Sequence, residues 1–319
     1  MLEVGREGRD ERALTILFLG MLYWRGKIYH GTRVPRQYLV ETAWLEENLF
    51  DPAIRLVDMR GYVRTVDKGG KQEAVYVGAP EEYAQEHIPG AIYIDWTQDI
   101  VDHDDPVEAQ IAPAEKFAAA MAKAGIGDQH LVVAYDTHPA SQFATRLWWA
   151  LNYYGHTRVV ILNGGFAKWK HEKRPVDHIK PSYPRATFTA KEQPQLRATA
   201  EEVLQMIKQD GITLVDARDS GQYTGTVVRG EGRRGHIPGA LSLPREKLIN
   251  PEDGTFRSNQ ELQHIFADAN VVPEQRIVAY CNGGVAATTV LFSLAMLGYP
   301  QLTNYDGSWN EWAPARSFQ

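Results

Sequence analysis

Short, wholly apolar runs alternate with helix-spaced segments along most of this chain. Val132-Val133-Ala134-Tyr135 and Ile277-Val278-Ala279-Tyr280 show no polar alternation, which predicts strands covered on both faces. Residues 285–297 predict a buried helix closed by Gly298 and Pro300. Residues 114–124 predict an alanine-rich helix stopping at Gly125, and residues 145–152 belong to the helix that corresponds to 285–297. Thr199-Ala200-Glu201-Glu202 is a capping box opening a helix with Val203, Met206 and Ile207 on one face, and Ser258-Asn259-Gln260-Glu261 opens another. Strands alternating with helices predict an α/β architecture, a parallel sheet flanked on both faces, with sites at the carboxyl ends of strands.

The pattern occurs twice. Leu56-Val57-Asp58-Met59-Arg60 answers Leu214-Val215-Asp216-Ala217-Arg218, and His87-Ile88-Pro89-Gly90-Ala91 answers His236-Ile237-Pro238-Gly239-Ala240 without a change. The run ending in Asp136 answers the run ending in Cys281, and Asn163-Gly164-Gly165-Phe166 with Trp169 answers Asp306-Gly307-Ser308-Trp309 with Trp312. Four landmarks in one order indicate an internal duplication. Nine more residues separate Asp58 from His87 than Asp216 from His236, so the copies differ by insertion. The expected organisation is an extension over 1–37, a first domain over 38–173, a linker over 174–195 and a second domain over 196–319. The linker is marked by Pro175, Pro181, Pro184 and Pro194 among polar residues.

Residues 13–24 are an apolar run of twelve, whereas a spanning helix needs about 20. The stretch before it mixes Arg6, Arg9 and Arg12 with Glu7, Asp10 and Glu11, which fits a signal peptide poorly. The extension therefore reads as a non-domain segment, with Met21 as a second candidate start.

Composition narrows the class further. At 319 residues the chain can bury two cores, and 44% hydrophobic with 23% charged residues is ordinary for a soluble globular protein. A net charge of −6 gives no reason to expect nucleic acid or an anionic membrane as a partner. One cysteine excludes an internal disulfide and a cysteine-rich zinc site, and suits a reducing compartment, hence a cytoplasmic protein.

That cysteine is where chemistry is expected. A lone cysteine is commonly a small buried hydrophobe, but Cys281 ends a strand, precedes Asn282-Gly283-Gly284 and opens onto a helix. Glycines let such a loop curl until several N–H groups surround one atom, and the helix N-terminus adds partial positive charge. The loop is thus suited to hold an anion on Cys281, a thiolate or a persulfide.

The paired Asp-x-Arg strands, both His-Ile-Pro-Gly-Ala turns, the Asp136 and Cys281 loops and Tyr305-Asp306-Gly307-Ser308-Trp309 together resemble tandem rhodanese-domain sulfurtransferases over about residues 38–319. The resemblance implies two rhodanese-like domains, the first silent with Asp136 in place of the cysteine. It also implies sulfur transfer from thiosulfate or 3-mercaptopyruvate through a persulfide on Cys281, with no metal or organic cofactor. The partners implied are a small-molecule sulfur donor and an acceptor, either cyanide or a thiol such as a small thiol or a thioredoxin-like protein. Asn282, Gly283, Gly284, Val285, Ala286 and Ala287 become backbone donors to the anion. Arg218 and Arg229 become donor-binding residues, with Arg233 and Arg234 as local substitutes. The resemblance also places His87 facing Cys281 from the first domain, although its recurrence as His236 is better explained by a shared turn-stabilising role.

The loop departs from both known patterns. Asn282 and Gly283 stand where thiosulfate enzymes of the family carry Arg and Lys, and Gly283 and Ala286 stand where mercaptopyruvate enzymes carry Ser and Thr. Gln222 replaces a donor-binding arginine, and Tyr76 stands where an Asp is expected before His87. Phosphatases of related fold need an arginine six positions after the cysteine, and Ala287 stands there. A non-enzymatic persulfide relay or protein-binding module is the alternative reading.

Overall fold

A computed structural model describes residues 38–67, 72–207, 209–229 and 233–314. The expected extension over 1–37, including the apolar run 13–24, lies outside them. The strands in chain order are β1 (Leu39–Val40), β2 (Ile54–Asp58), β3 (Gly61–Asp67), β4 (Gln72–Gly78), β5 (Ile92–Tyr93), β6 (Leu131–Tyr135) and β7 (Val159–Leu162) in the first half. β8 (Arg197–Ala198), β9 (Ile212–Asp216), β10 (Leu241–Ser242), β11 (Arg276–Tyr280) and β12 (Leu302–Tyr305) form the second.

The first half builds a sheet in the order β1-β7-β6-β2-β5 and the second repeats it as β8-β12-β11-β9-β10, all parallel. Every residue of β2 and β6 is buried, which is why these runs carry no polar alternation. Local contacts are duplicated too. The Tyr135 hydroxyl accepts the Ile88 N–H at 3.2 Å, and the Tyr280 hydroxyl accepts that of Ile237 at 3.0 Å. Arg60 closes on Asp58 as Arg218 closes on Asp216.

The capping boxes at Thr199 and Ser258 form as expected, each with both reciprocal bonds. The helix expected over 285–297 occupies Ala287–Met296, and its counterpart over 145–152 extends to Gln142–Tyr153. These two helices join the halves. Thr145 Oγ1 lies 2.9 Å from Thr288 Oγ1, and the Trp148 and Phe292 rings meet edge-on at 5.1 Å. Residues of both halves share one hydrophobic cluster here, so a helix apolar on nearly every side is satisfied by burial on every side.

Between Asp58 and His87 stands the antiparallel hairpin β3–β4, which has no counterpart among the described residues of the second half. The segment expected as a linker is anchored along the first half. Asp177 bridges to His87, the Tyr183 hydroxyl donates to Gly90 O at 3.0 Å, and Phe188 is buried. Among the described residues no helix is long and apolar enough to cross a membrane.

Candidate active site

Three adjacent strands of the second sheet end together, and their ends build the site. Tyr280 pairs with Asp216, and Ala279 with Asn304. The carboxyl end of β11 therefore sets Cys281 between the Ala217-Arg218 and Asp306-Gly307-Ser308 turns. The Ser308 hydroxyl accepts the N–H groups of Cys281 at 3.1 Å and Gly284 at 3.0 Å, and donates to Tyr305 O at 2.7 Å. Trp309 N–H donates to Cys281 O, and Asn310 N–H to Asn282 O. Gly284 has φ +69°, and a Cβ there would meet Asp306 O at 2.6 Å, so no larger residue fits.

The expectation that Gly284 offers its N–H to a sulfur anion is corrected by this geometry, because Ser308 already accepts it. Among the described residues, no acceptor bonds the N–H groups of Asn282, Gly283, Val285 or Ala286. Ala287 opens the helix itself. Cys281 is 3% exposed and lines a cavity of about 210 Å³ with Asn282, Gly283, Val285 and Ala286.

Both halves wall this cavity. The hairpin contributes Tyr62, Val63 and Tyr76, the Asp136 loop contributes His138 and Gln142, and the second half adds Arg218, Gln222, Arg229 and Arg245. Arg218 lines it while remaining paired, its Nε and Nη2 on Asp216 and its Nη2 also on Gly235 O at 2.7 Å. Burial opposes its charge, but the Asp216 bonds outweigh that and raise its pKa. Its guanidinium lies 4.2 Å over the Trp309 ring. Arg229 donates to the Thr65 hydroxyl of the hairpin. Arg233 and Arg234 border a separate small space beside it, and Arg234 is exposed. Gln222 accepts from Asn282 Nδ2 at 3.0 Å and so braces the loop.

His87 is not in this wall. Its Nδ1 lies 2.7 Å from Tyr83 O, its Nε2 3.1 Å from Ile179 O, and its ring stacks on Tyr83 at 4.2 Å. His236 repeats the arrangement, with Nδ1 at 2.9 Å from Tyr223 O and its ring on Tyr223. The expectation that His87 faces Cys281 is thus corrected: both nitrogens face backbone carbonyls, and the residue fixes a turn. His138 takes the first half's place in the cavity wall. Burial, with the Arg245 charge, lowers its pKa to about 4, and its Nδ1 accepts the Ala140 N–H at 3.0 Å.

Comparison with known proteins agrees with this duplicated architecture. A rhodanese-like domain matches twice, over residues 41–172 and 199–315. The chain belongs to the rhodanese family. This rhodanese is 34% identical to the sulfur carrier protein TtuD of Thermus thermophilus, covering 86% of this chain and 93% of that protein. It is 32% identical to the 3-mercaptopyruvate sulfurtransferase of Escherichia coli over 86% of this chain and 94% of the relative. It is 34% identical to the thiosulfate sulfurtransferase of Rattus norvegicus over 86% and 91%. The crystal structure of SseA from Escherichia coli superposes with a TM-score of 0.74 at 31% identity, covering 86% of this chain and 99% of SseA.

The two rhodanese halves differ at the strand ends that carry Asp136 and Cys281. In the first, the Asp136 carboxylate accepts N–H groups of His138, Phe143 and Ala144 at 2.8 to 2.9 Å, so the side chain closes its own loop. Burial nevertheless pushes its pKa up to about 7. In the second, a hydroxyl from the next strand end closes the loop and leaves the thiol facing the cavity. Ser308, Tyr76, His138 and Arg245 were not singled out as functional by the sequence. Ser308 lies in the family motif and Tyr76 at the position of the expected Asp, but His138 and Arg245 carry no local signal, because the packing of remote segments brings them in.

Proposed function

We propose that this rhodanese moves a sulfane sulfur from thiosulfate or 3-mercaptopyruvate to a thiol or cyanide through a persulfide on Cys281. The observation that carries the reading is Cys281 lining a cavity beside four loop N–H groups that no described residue accepts. With thiosulfate, the thiolate attacks the outer sulfur, the S–S bond of the donor breaks, and sulfite leaves with the electron pair. With 3-mercaptopyruvate, the C–S bond breaks and the thiol proton ends on carbon, giving pyruvate. Either route leaves Cys281 as a persulfide anion beside the loop N–H groups of Asn282, Gly283, Val285 and Ala286. An acceptor thiolate or cyanide then attacks the outer sulfur and regenerates the Cys281 thiolate. The resident cysteine needs no disulfide partner for this cycle, which suits a reducing compartment such as the cytoplasm.

Intact mass spectrometry after incubation with each donor tests this. A gain of one sulfur, absent in Cys281→Ser and discharged by cyanide or dithiothreitol, is the expected result. No gain with either donor overturns the assignment of both. A second reading, a sulfur carrier loaded by another protein and unloaded to a thioredoxin-like acceptor, is favoured by the neutral Asn282-Gly283 pair and by the 34% identity to TtuD. It predicts loading only from a protein persulfide.

A further inference from the structure

The three arginines around the Cys281 cavity are held very differently. Arg218 is fixed in a buried pair with Asp216 and accepts Trp309 against its face. Arg229 is turned onto the hairpin hydroxyl of Thr65. Among the described residues Arg245 has one ion-pair partner, Glu246 Oε1 at 2.9 Å from its Nη2, and the Glu246 side chain is 53% exposed. Such a pair contributes little and exchanges readily for another anion. The Nε of Arg245 is buried and has no acceptor among the described residues. An unmet donor on a charged, mostly buried group is costly, and a carboxylate or an oxyanion of sulfur would satisfy it in a fork.

His138 faces the same cavity from the other half. Arg245 lines it from the second half, so the two stand in one cavity wall. With Nδ1 accepting from Ala140, the neutral ring carries its proton on Nε2 and can donate one hydrogen bond. Gln222, whose carbonyl accepts from Asn282, is neutral and offers an anion no charge.

We propose that Arg245 is the specificity residue of this site: it binds the anionic head of the sulfur donor, with His138 as a neutral hydrogen-bond donor beside it. The proposal rests on the sulfur-transfer reading for the identity of the ligand. It does not rest on turnover, since an anion binds whether or not sulfur moves. Glu246 meets Nη2 until the donor arrives, and the donor then takes Nη2 and Nε together.

The test measures equilibrium binding of thiosulfate and of 3-mercaptopyruvate to the Cys281→Ser protein by calorimetry, where no sulfur can transfer. Adding Arg245→Met is expected to weaken binding of at least one donor tenfold or more, and Arg245→Lys to recover part of the loss. The near-ultraviolet circular dichroism of Arg245→Met is expected to superimpose on that of the parent, which shows intact packing. Weakening confined to thiosulfate or to the carboxylate donor identifies the head that Arg245 reads. Binding of both unchanged within twofold by Arg245→Met overturns the proposal. Failure of the parent protein to form a persulfide while Arg245-dependent binding persists overturns the transfer reading alone.

Discussion

Asn310 Nδ2, behind the Cys281 loop, donates to the Tyr76 hydroxyl on the hairpin of the other half at 2.9 Å. Gly283 of that loop packs against the pair: a Cβ there would meet the Tyr76 hydroxyl at 3.0 Å and Asn310 Nδ2 at 3.2 Å. The β3–β4 hairpin of the first half thus closes the site of the second.

Burial pushes the Tyr76 pKa up to about 12, so its hydroxyl stays neutral at working pH and serves as an acceptor. Tyr76→Phe is expected to cost about 1 kcal/mol in urea denaturation, because Asn310 loses its acceptor. Steady-state kinetics should show a loss well short of the ~10²-fold expected on removing a proton-transfer group. A loss of that size would make Tyr76 an acid or base.

Ser308 ties the loop by accepting from Cys281 and Gly284 together. Ser308→Ala leaves two buried N–H groups unmet, and each costs about 1–3 kcal/mol. The denaturation midpoint should fall, and the rate of Cys281 persulfide loading in stopped time points should fall with it. Unchanged stability would mean that the loop holds itself.

The first half also braces the loop through a buried ion pair. Arg146 Nη1 lies 2.5 Å from Asp306 Oδ1 and 3.2 Å from Gly284 O, and its Nη2 donates to Ala109 O at 2.9 Å. Arg146→Met leaves the Asp306 charge with Arg197 at 3.5 Å and the Ile111 N–H. A loss of about 3–5 kcal/mol is expected by chemical denaturation. Arg146→Met with Asp306→Asn should recover part of it, since the stranded charge is then gone.

His138 gives a pH signature. Its folded pKa of about 4 lies below the ordinary 6.5, so between these values the unfolded chain binds the proton that the folded chain refuses. Its contribution is complete above pH 6.5 and is lost as pH falls towards 4, with a slope of up to about 1.4 kcal/mol per pH unit. Urea midpoints of the parent minus those of His138→Asn, measured from pH 4 to 8, should be flat above 6.5 and decline below it. A flat difference throughout would place His138 in open solvent.

The sequence by itself determined the duplicated α/β architecture, the capped helices, the Asp136 copy of the Cys281 loop and the strand-end position of Cys281. Each of these follows from local patterns: apolar runs for doubly covered strands, Ser or Thr with Glu for helix starts, and glycines where the loop must turn. Tertiary structure decided which side chains stand around the thiol. His87 carries the family's His-Ile-Pro-Gly-Ala turn, yet its ring faces the carbonyls of Tyr83 and Ile179, as a repeated motif serving a repeated turn would. Tyr76, His138 and Arg245 reach the cavity from a hairpin, a loop of the other half and the segment after β10, which are remote in sequence. Periodicity reports which face of an element is buried; it carries no record of which distant element covers that face. The packing of Gln142–Tyr153 on Ala287–Met296 sets that relation, and with it the wall of the site.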